Sequence, residues 1–244
     1  MSLNYQISSI RDGSYEVTID LSKWFYQSDL SYFQREFKKV ADGDNDFRLI
    51  CTLNNTFLKY KSESLFPTTS DPKKKKVVIV LGNPATHSIV GGMFFYSRSD
   101  GTPHQFWYKL EKAGLMPGVG SNTLQNQASR RKQLILNGAT SPKYLLGLTT
   151  FYSFPTPVQG EYKDVKGVEK LFRFALSKVR RMELNRIISY EFSKDALFVF
   201  TQQSSYHYAV FQLGENNVIY WPLRGAGSSG IDLRYLLEKY VSGN

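Results

Sequence analysis

The sequence predicts an α/β fold, a three-layer α/β/α sandwich around a mainly parallel central sheet, and three observations carry that prediction. Residues 77–81 (VVIVL), 144–151 (YLLGLTTF) and 196–201 (ALFVFT) are near-continuous β-branched, aliphatic and aromatic runs, the pattern of strands covered on both faces. Helical periodicity lies between them: Phe106, Trp107 and Leu110 share a face of residues 105–113, and Val168, Leu171, Phe172, Ala175, Leu176 and Val179 share a face of residues 165–181. Strands that alternate with helices in this way build parallel sheets. With 244 residues the chain can bury a sizeable core. Residues 73–244 read as one α/β domain, with residues 1–72 as an N-terminal extension packed on it.

Taken in order, residues 15–20 (YEVTID) alternate like a short strand, and residues 30–40, with apolar or aromatic residues at Leu30, Tyr32, Phe33, Phe37 and Val40, read as an amphipathic helix. Residues 47–51 and 57–60 read as strand or irregular structure. A loop at residues 68–72 leads to the four lysines at 73–76, a solvated charge run ahead of the first central strand. Gly82-Asn83-Pro84 stops that strand. Gly91-Gly92 then precedes Phe94 and Phe95, and Gly114 closes the helix in which Trp107 is a core residue. Residues 122–138 read as helix or loop with an exposed basic patch at Arg130, Arg131 and Lys132. After the strand at 144–151 comes a Pro-rich turn, residues 153–157. Residues 208–213 and 218–221 read as two short strands around a turn at 214–217, and residues 222–230 (PLRGAGSSG) are too rich in Gly and Ser for regular structure. The C-terminal helix, residues 232–241, turns Leu233, Leu236, Leu237 and Tyr240 inward.

Lys and Arg outnumber Asp and Glu by 31 to 21, a net charge of +10 that favours a polyanionic partner. Cys51 is the single cysteine, so a disulfide framework or cysteine-based metal site is excluded, and the three histidines have no metal-ligand spacing. No metal and no cofactor are expected. Without a leader pattern or about 18 consecutive apolar residues, the sequence suggests a cytoplasmic protein without a membrane partner, and a monomer is the default expectation.

Ligands of open α/β sheets bind off the carboxyl ends of the strands. That edge is expected to gather the Asn83 turn, the loop after Phe151 and the loop at 222–230. Leu81 to Ala85 (LGNPA), Phe95 twelve residues after Asn83, His104 to Trp107 (HQFW) and Ala113 to Leu115 (AGL) together resemble the uracil-DNA glycosylase superfamily, nearest to its mismatch-specific thymine/uracil branch. GLTTFYSFPTP at residues 147–157 is similar to the second segment of that branch, and VIYWPLRGAGSSGIDLRYLLEKY at 218–240 follows the order of its closing strand, minor-groove loop and helix. The chain departs from the pattern in four places: Gly82 directly precedes Asn83, Ala85 replaces a Gly, the final loop has no His-Pro-Ser core, and Thr149 and Thr150 stand where the most active enzymes carry an Asn.

The resemblance implies hydrolysis of the N-glycosidic bond of uracil or a related damaged base flipped out of DNA, without metal or cofactor. Asn83 and His87 are then the catalytic candidates: Asn83 orients a water by its amide oxygen, which makes turnover slow because an amide is no base, and His87 adds a donor. Phe95 stacks on the base, Ala85 and its neighbours offer backbone donors, and Thr149 or Thr150 reads the base. Phosphate contacts fall to Arg130, Arg131, Lys132 and Lys143, and Arg224, Ser228 and Ser229 sit in the loop expected to enter the minor groove. The alternative is a nucleic-acid-binding module on the same fold that has lost its chemistry.

Overall fold

The computed structural model describes residues 5–9, 12–98, 101–120 and 123–241. In chain order the elements are β1 (Tyr5–Ser9), β2 (Ser14–Asp20), α1 (Gln27–Gly43), α2 (Asn45–Ile50), β3 (Cys51–Asn54), β4 (Phe57–Glu63), β5 (Lys75–Leu81), α3 (Thr86–Gly91) and α4 (Gln105–Lys112). They continue with α5 (Leu124–Leu136), β6 (Tyr144–Thr150), α6 (Asp164–Leu171), α7 (Leu176–Ser189), β7 (Leu197–Phe200), α8 (Gln203–Leu213), β8 (Val218–Tyr220) and α9 (Gly230–Val241). Contacts divide the chain into two compact units that interleave along the sequence. One holds Met1–Ser64, Asn83–Phe94 and Thr150–Arg186, and the other Leu65–Gly82, Phe95–Thr149 and Ile187–Asn244.

The first unit is built on an antiparallel sheet of order β1-β2-β4-β3. Tyr15, Val17 and Ile19 of β2 are buried while their neighbours are less so, the alternation of a sheet covered on one face. Leu30, Phe33, Phe37 and Val40 of α1 are buried as the periodicity requires. Residues 47–50, read as strand or irregular, are helical because Asp44 caps α2, accepting the Phe47 N–H at 2.7 Å. The helix expected over 165–181 is broken: α6 ends at Leu171, Arg173–Ala175 form a 3₁₀ turn, and α7 restarts at Leu176. Phe172 sits at the break, its ring 5.1 Å from Phe33 and 5.2 Å from Phe154, so aromatic packing overrides helical continuity. A buried ion pair pins the chain beyond β6. Arg186 Nε lies 2.6 Å from Glu183 Oε2, Arg186 Nη2 donates to the Thr150 carbonyl, and Glu183 Oε1 accepts the Ser153 N–H at 2.8 Å.

The second unit is a four-stranded parallel sheet of order β6-β5-β7-β8 with helices around it. Val78 pairs with Phe198 and Ile79 with Val199, and Phe198 pairs in turn with Val218. All residues of β6 and β7 are buried, as their unbroken apolar runs imply. Residues 208–213 are not a strand but the second half of α8. Since β8 runs parallel to β7, the connection between them must be a crossover, and a hairpin turn at 214–217 cannot supply one. Ser205 and Ala209, four residues apart, are the buried positions of that crossover helix.

Candidate functional site

In the first unit the Asn83 turn and the Pro-rich turn after Phe151 are joined. Ala85 and Thr156 form an isolated parallel bridge: the Thr156 N–H donates to the Pro84 carbonyl at 3.1 Å, and the Thr86 N–H to the Thr156 carbonyl at 3.1 Å. Asn83, half-buried where the chain leaves β5, donates from Nδ2 to Thr156 Oγ1 at 2.7 Å and to the Pro84 carbonyl at 3.2 Å. The Thr156 hydroxyl donates its one hydrogen to the Asp164 carbonyl at 3.3 Å, so towards Asn83 it can only accept. That fixes the amide. Nδ2 faces the protein, and Oδ1 is the atom that neither Thr156 nor Pro84 engages.

The same bridge limits the backbone donors expected near Ala85. The Thr86 N–H is spent on Thr156, and the Ser88 N–H donates to the Ala85 carbonyl at 3.0 Å, so neither is available to a leaving base. His87 is half-buried with Nε2 3.4 Å from Ser88 Oγ. Thr150 is fully enclosed at the end of β6.

In the second unit Phe95 lies in the left-handed region at φ 47, uncommon for a non-glycine residue. Two contacts hold it there. Its carbonyl accepts Trp107 Nε1 at 3.0 Å, and its ring stacks on His104 at 4.4 Å and leans on Phe106 at 4.5 Å. One edge of this group lines a cavity of about 340 Å³ together with Arg98, Lys109 and Arg224. Trp107 is buried, as expected, and Thr149 is fully enclosed in β6.

The loop at 222–229 is closed at its base, where Trp221 Nε1 donates to the Ser229 carbonyl at 3.1 Å and Lys109 Nζ to the Leu223 carbonyl at 2.7 Å. Arg224 stands exposed in the loop so held. Ser229 is committed to starting α9: its Oγ accepts the Asp232 N–H at 3.0 Å while the Asp232 carboxylate accepts the Ser229 N–H at 2.9 Å, a reciprocal cap. The Ser229 hydroxyl, which donates to the carboxylate at 2.5 Å, and after it the Ser229 N–H hold the Asp232 carboxyl below its ordinary value. Ser228 Oγ lies 3.4 Å from Lys109 Nζ.

No family model matches the chain, and no curated protein matches its sequence. The basic run divides by burial. Arg130 and Lys143 are exposed and Lys132 is half-buried, but Arg131 is buried beneath the expected exposed patch, its guanidinium over the Trp107 ring at 4.9 Å. His104 and Lys109 were not foreseen as cavity residues. His104 Nδ1 accepts the Phe106 N–H at 3.1 Å and so caps α4, and its place one residue before that helix was the available signal. Among the described residues no His, Cys, Asp and Glu group could hold a metal, and no helix is long and apolar enough to cross a membrane.

Proposed function

We propose that the chain is a monofunctional DNA N-glycosylase of the uracil-DNA glycosylase superfamily, acting on uracil or a related damaged base turned out of the DNA stack. The observation that carries the reading is the fixed Asn83 amide, with Nδ2 on Thr156 Oγ1 and Oδ1 left as an acceptor. An acceptor locked at a strand end can hold a water by one of its hydrogens and aim the oxygen. In the reaction the water oxygen bonds to C1′ as the C1′–N bond breaks. The base takes the bonding electrons, a proton from the water completes the exchange, and an abasic site remains. Arg224, exposed in its loop, is assigned to a phosphate of the DNA backbone. An amide cannot take the water's proton, so slow turnover is expected.

A nucleic-acid-binding module without chemistry is the second reading. It is favoured by the engagement of the Thr86 and Ser88 N–H groups, which removes two stabilisers of a departing base. Abasic-site formation on oligonucleotides carrying one uracil, single-stranded and opposite guanine, decides between them. Cleavage by the wild type that falls at least a hundredfold in Asn83→Ala, with DNA affinity within a few-fold, supports the glycosylase. DNA binding without abasic product from uracil or other damaged bases supports the module.

A further inference from the structure

Arg131 is 5% exposed, yet it carries a permanent positive charge. Nη2 donates to Gln127 Oε1 at 3.1 Å and the guanidinium plane lies over Trp107, but Nε is enclosed and has no hydrogen-bond partner among the described residues. None of the described carboxylates is ion-paired with it either. Glu111 attracts it only from beyond ion-pairing distance. An enclosed guanidinium with no ion-paired carboxylate is costly unless something compensates it.

Nε itself is too enclosed for a ligand to reach, so the charge as a whole can be answered only from the cavity that Arg131 lines. Arg131 lines a recess of about 760 Å³ bounded by α4, α5 and the start of α9, within the range that takes a mononucleotide-sized ligand. Its charged lining is Arg131, Lys109 and Lys112 against one carboxylate, Glu111. That excess of two positive charges suits a phosphomonoester, which carries close to two negative charges at neutral pH, better than a carboxylate. Tyr108 (58% exposed) and Ile231 (70% exposed) leave large apolar surfaces at the rim, against which a planar ring can lie.

We propose that this cavity binds a small organic phosphate bearing a planar ring, with its phosphomonoester on Arg131 and its ring against Tyr108 and Ile231. The site lies wholly in the second unit and does not rest on the glycosylase reading. A recessed guanidinium is poorly placed for the continuous backbone of a duplex and well placed for a terminal phosphate. Such a phosphate belongs to a free mononucleotide or to the 5′ end of a strand.

The test titrates the full chain with uridine and adenosine 5′-monophosphates and with the parent nucleosides at constant ionic strength, by calorimetry and thermal shift. The nucleotides are expected to bind at least tenfold more tightly than the nucleosides, to raise Tm, and to lose at least tenfold in affinity in Arg131→Gln. Because that variant alters a buried charge and can fail to fold, Tyr108→Ala and Lys112→Glu, both at exposed positions, are measured beside it and are expected to weaken binding several-fold each. Asn83→Ala is expected to bind like the wild type, which separates this site from the proposed reaction. A 5′-phosphorylated oligonucleotide that displaces the nucleotide, where its 5′-hydroxyl counterpart does not, assigns the phosphate to a strand end. Failure of both to displace assigns it to a small molecule. Nucleosides binding as well as nucleotides, no binding at millimolar concentration, or unchanged affinity in both rim variants overturns the proposal.

Discussion

Asn83 illustrates how one side chain's chemistry is set by its neighbour. Thr156 stands between the Asn83 amide and the Asp164 carbonyl and passes a defined polarity from one to the other. Thr156→Val keeps the volume and removes that polarity, so the amide is free to turn over. If Asn83 orients the water, base excision by Thr156→Val should fall about fivefold, the equivalent of one net hydrogen bond of about 1 kcal/mol, with DNA affinity unchanged and Thr156→Ser restoring most of the rate. Equal rates in all three proteins would deny Asn83 the role. A second residue sets an acid limit. The Glu36 carboxyl, 3% exposed on α1, accepts from the Tyr162 hydroxyl, Arg35 Nε and Lys39 Nζ, and these bonds lower it from 4.5 to about 2. A carboxyl depressed in the folded state stabilises that state fully above its unfolded value and loses the contribution as pH falls towards the folded one. The stability difference between wild type and Glu36→Gln, from urea unfolding, is therefore expected to be constant near neutrality and to shrink between pH 4.5 and pH 2. A difference that does not change over that window would remove Glu36 as its source.

At the scale of elements, α4 and α9 meet at a glycine. A Cβ on Gly230 would lie 2.2 Å from the Lys109 carbonyl oxygen and 2.7 Å from Lys112 Cβ, so Gly230→Ala forces the helices apart. The expected cost is about 1–3 kcal/mol, as for other overpacked sites, seen as a Tm several degrees lower. The same separation widens the Arg131 recess, so nucleotide binding should weaken with it. The strands of the parallel sheet were legible because double-sided burial writes itself as an unbroken apolar run, in β5, β6 and β7 alike. Residues 208–213 were not, since YAVFQL fits a two-residue period as readily as a helical one, and only the parallel partnership of β8 with β7 decides it. The break at Phe172 depends on rings 139 positions away in the sequence, such as Phe33, which periodicity within one helix cannot register. Of the candidate site, the turn that carries Asn83 was legible from the strand before it and its Gly-Asn-Pro stop. The burial of Arg131 was not, because a basic run reads as solvated until the Trp107 face is brought beneath it.

For the whole molecule, the N-terminal antiparallel sheet was the least legible part, since β3 spans only four residues and β4 (FLKYKSE) mixes lysines with its apolar positions, so neither forms an apolar run. Only β2 announced itself. The charge of +10 was plain from the start, and its meaning can be measured. Binding to undamaged DNA should weaken steeply with salt, the slope of log affinity against log salt counting the phosphates neutralised at roughly 0.9 each. Arg224, exposed in the closed loop, is assigned one of them, so Arg224→Ala should lower the slope by about one and weaken all sequences alike. Arg131 supplies the contrast. A guanidinium reserved for a terminal phosphate makes no backbone contact, and Arg131→Gln should leave the slope on 5′-hydroxyl DNA unaltered while the nucleotide site is lost. Were Arg131→Gln instead to lower the slope as Arg224→Ala does, the buried arginine would be an ordinary backbone contact and the recess would have no ligand of its own. A slope near zero in the wild type would mean that the excess charge is spread over the surface and not gathered into a DNA-binding face, and the glycosylase and module readings would fall together.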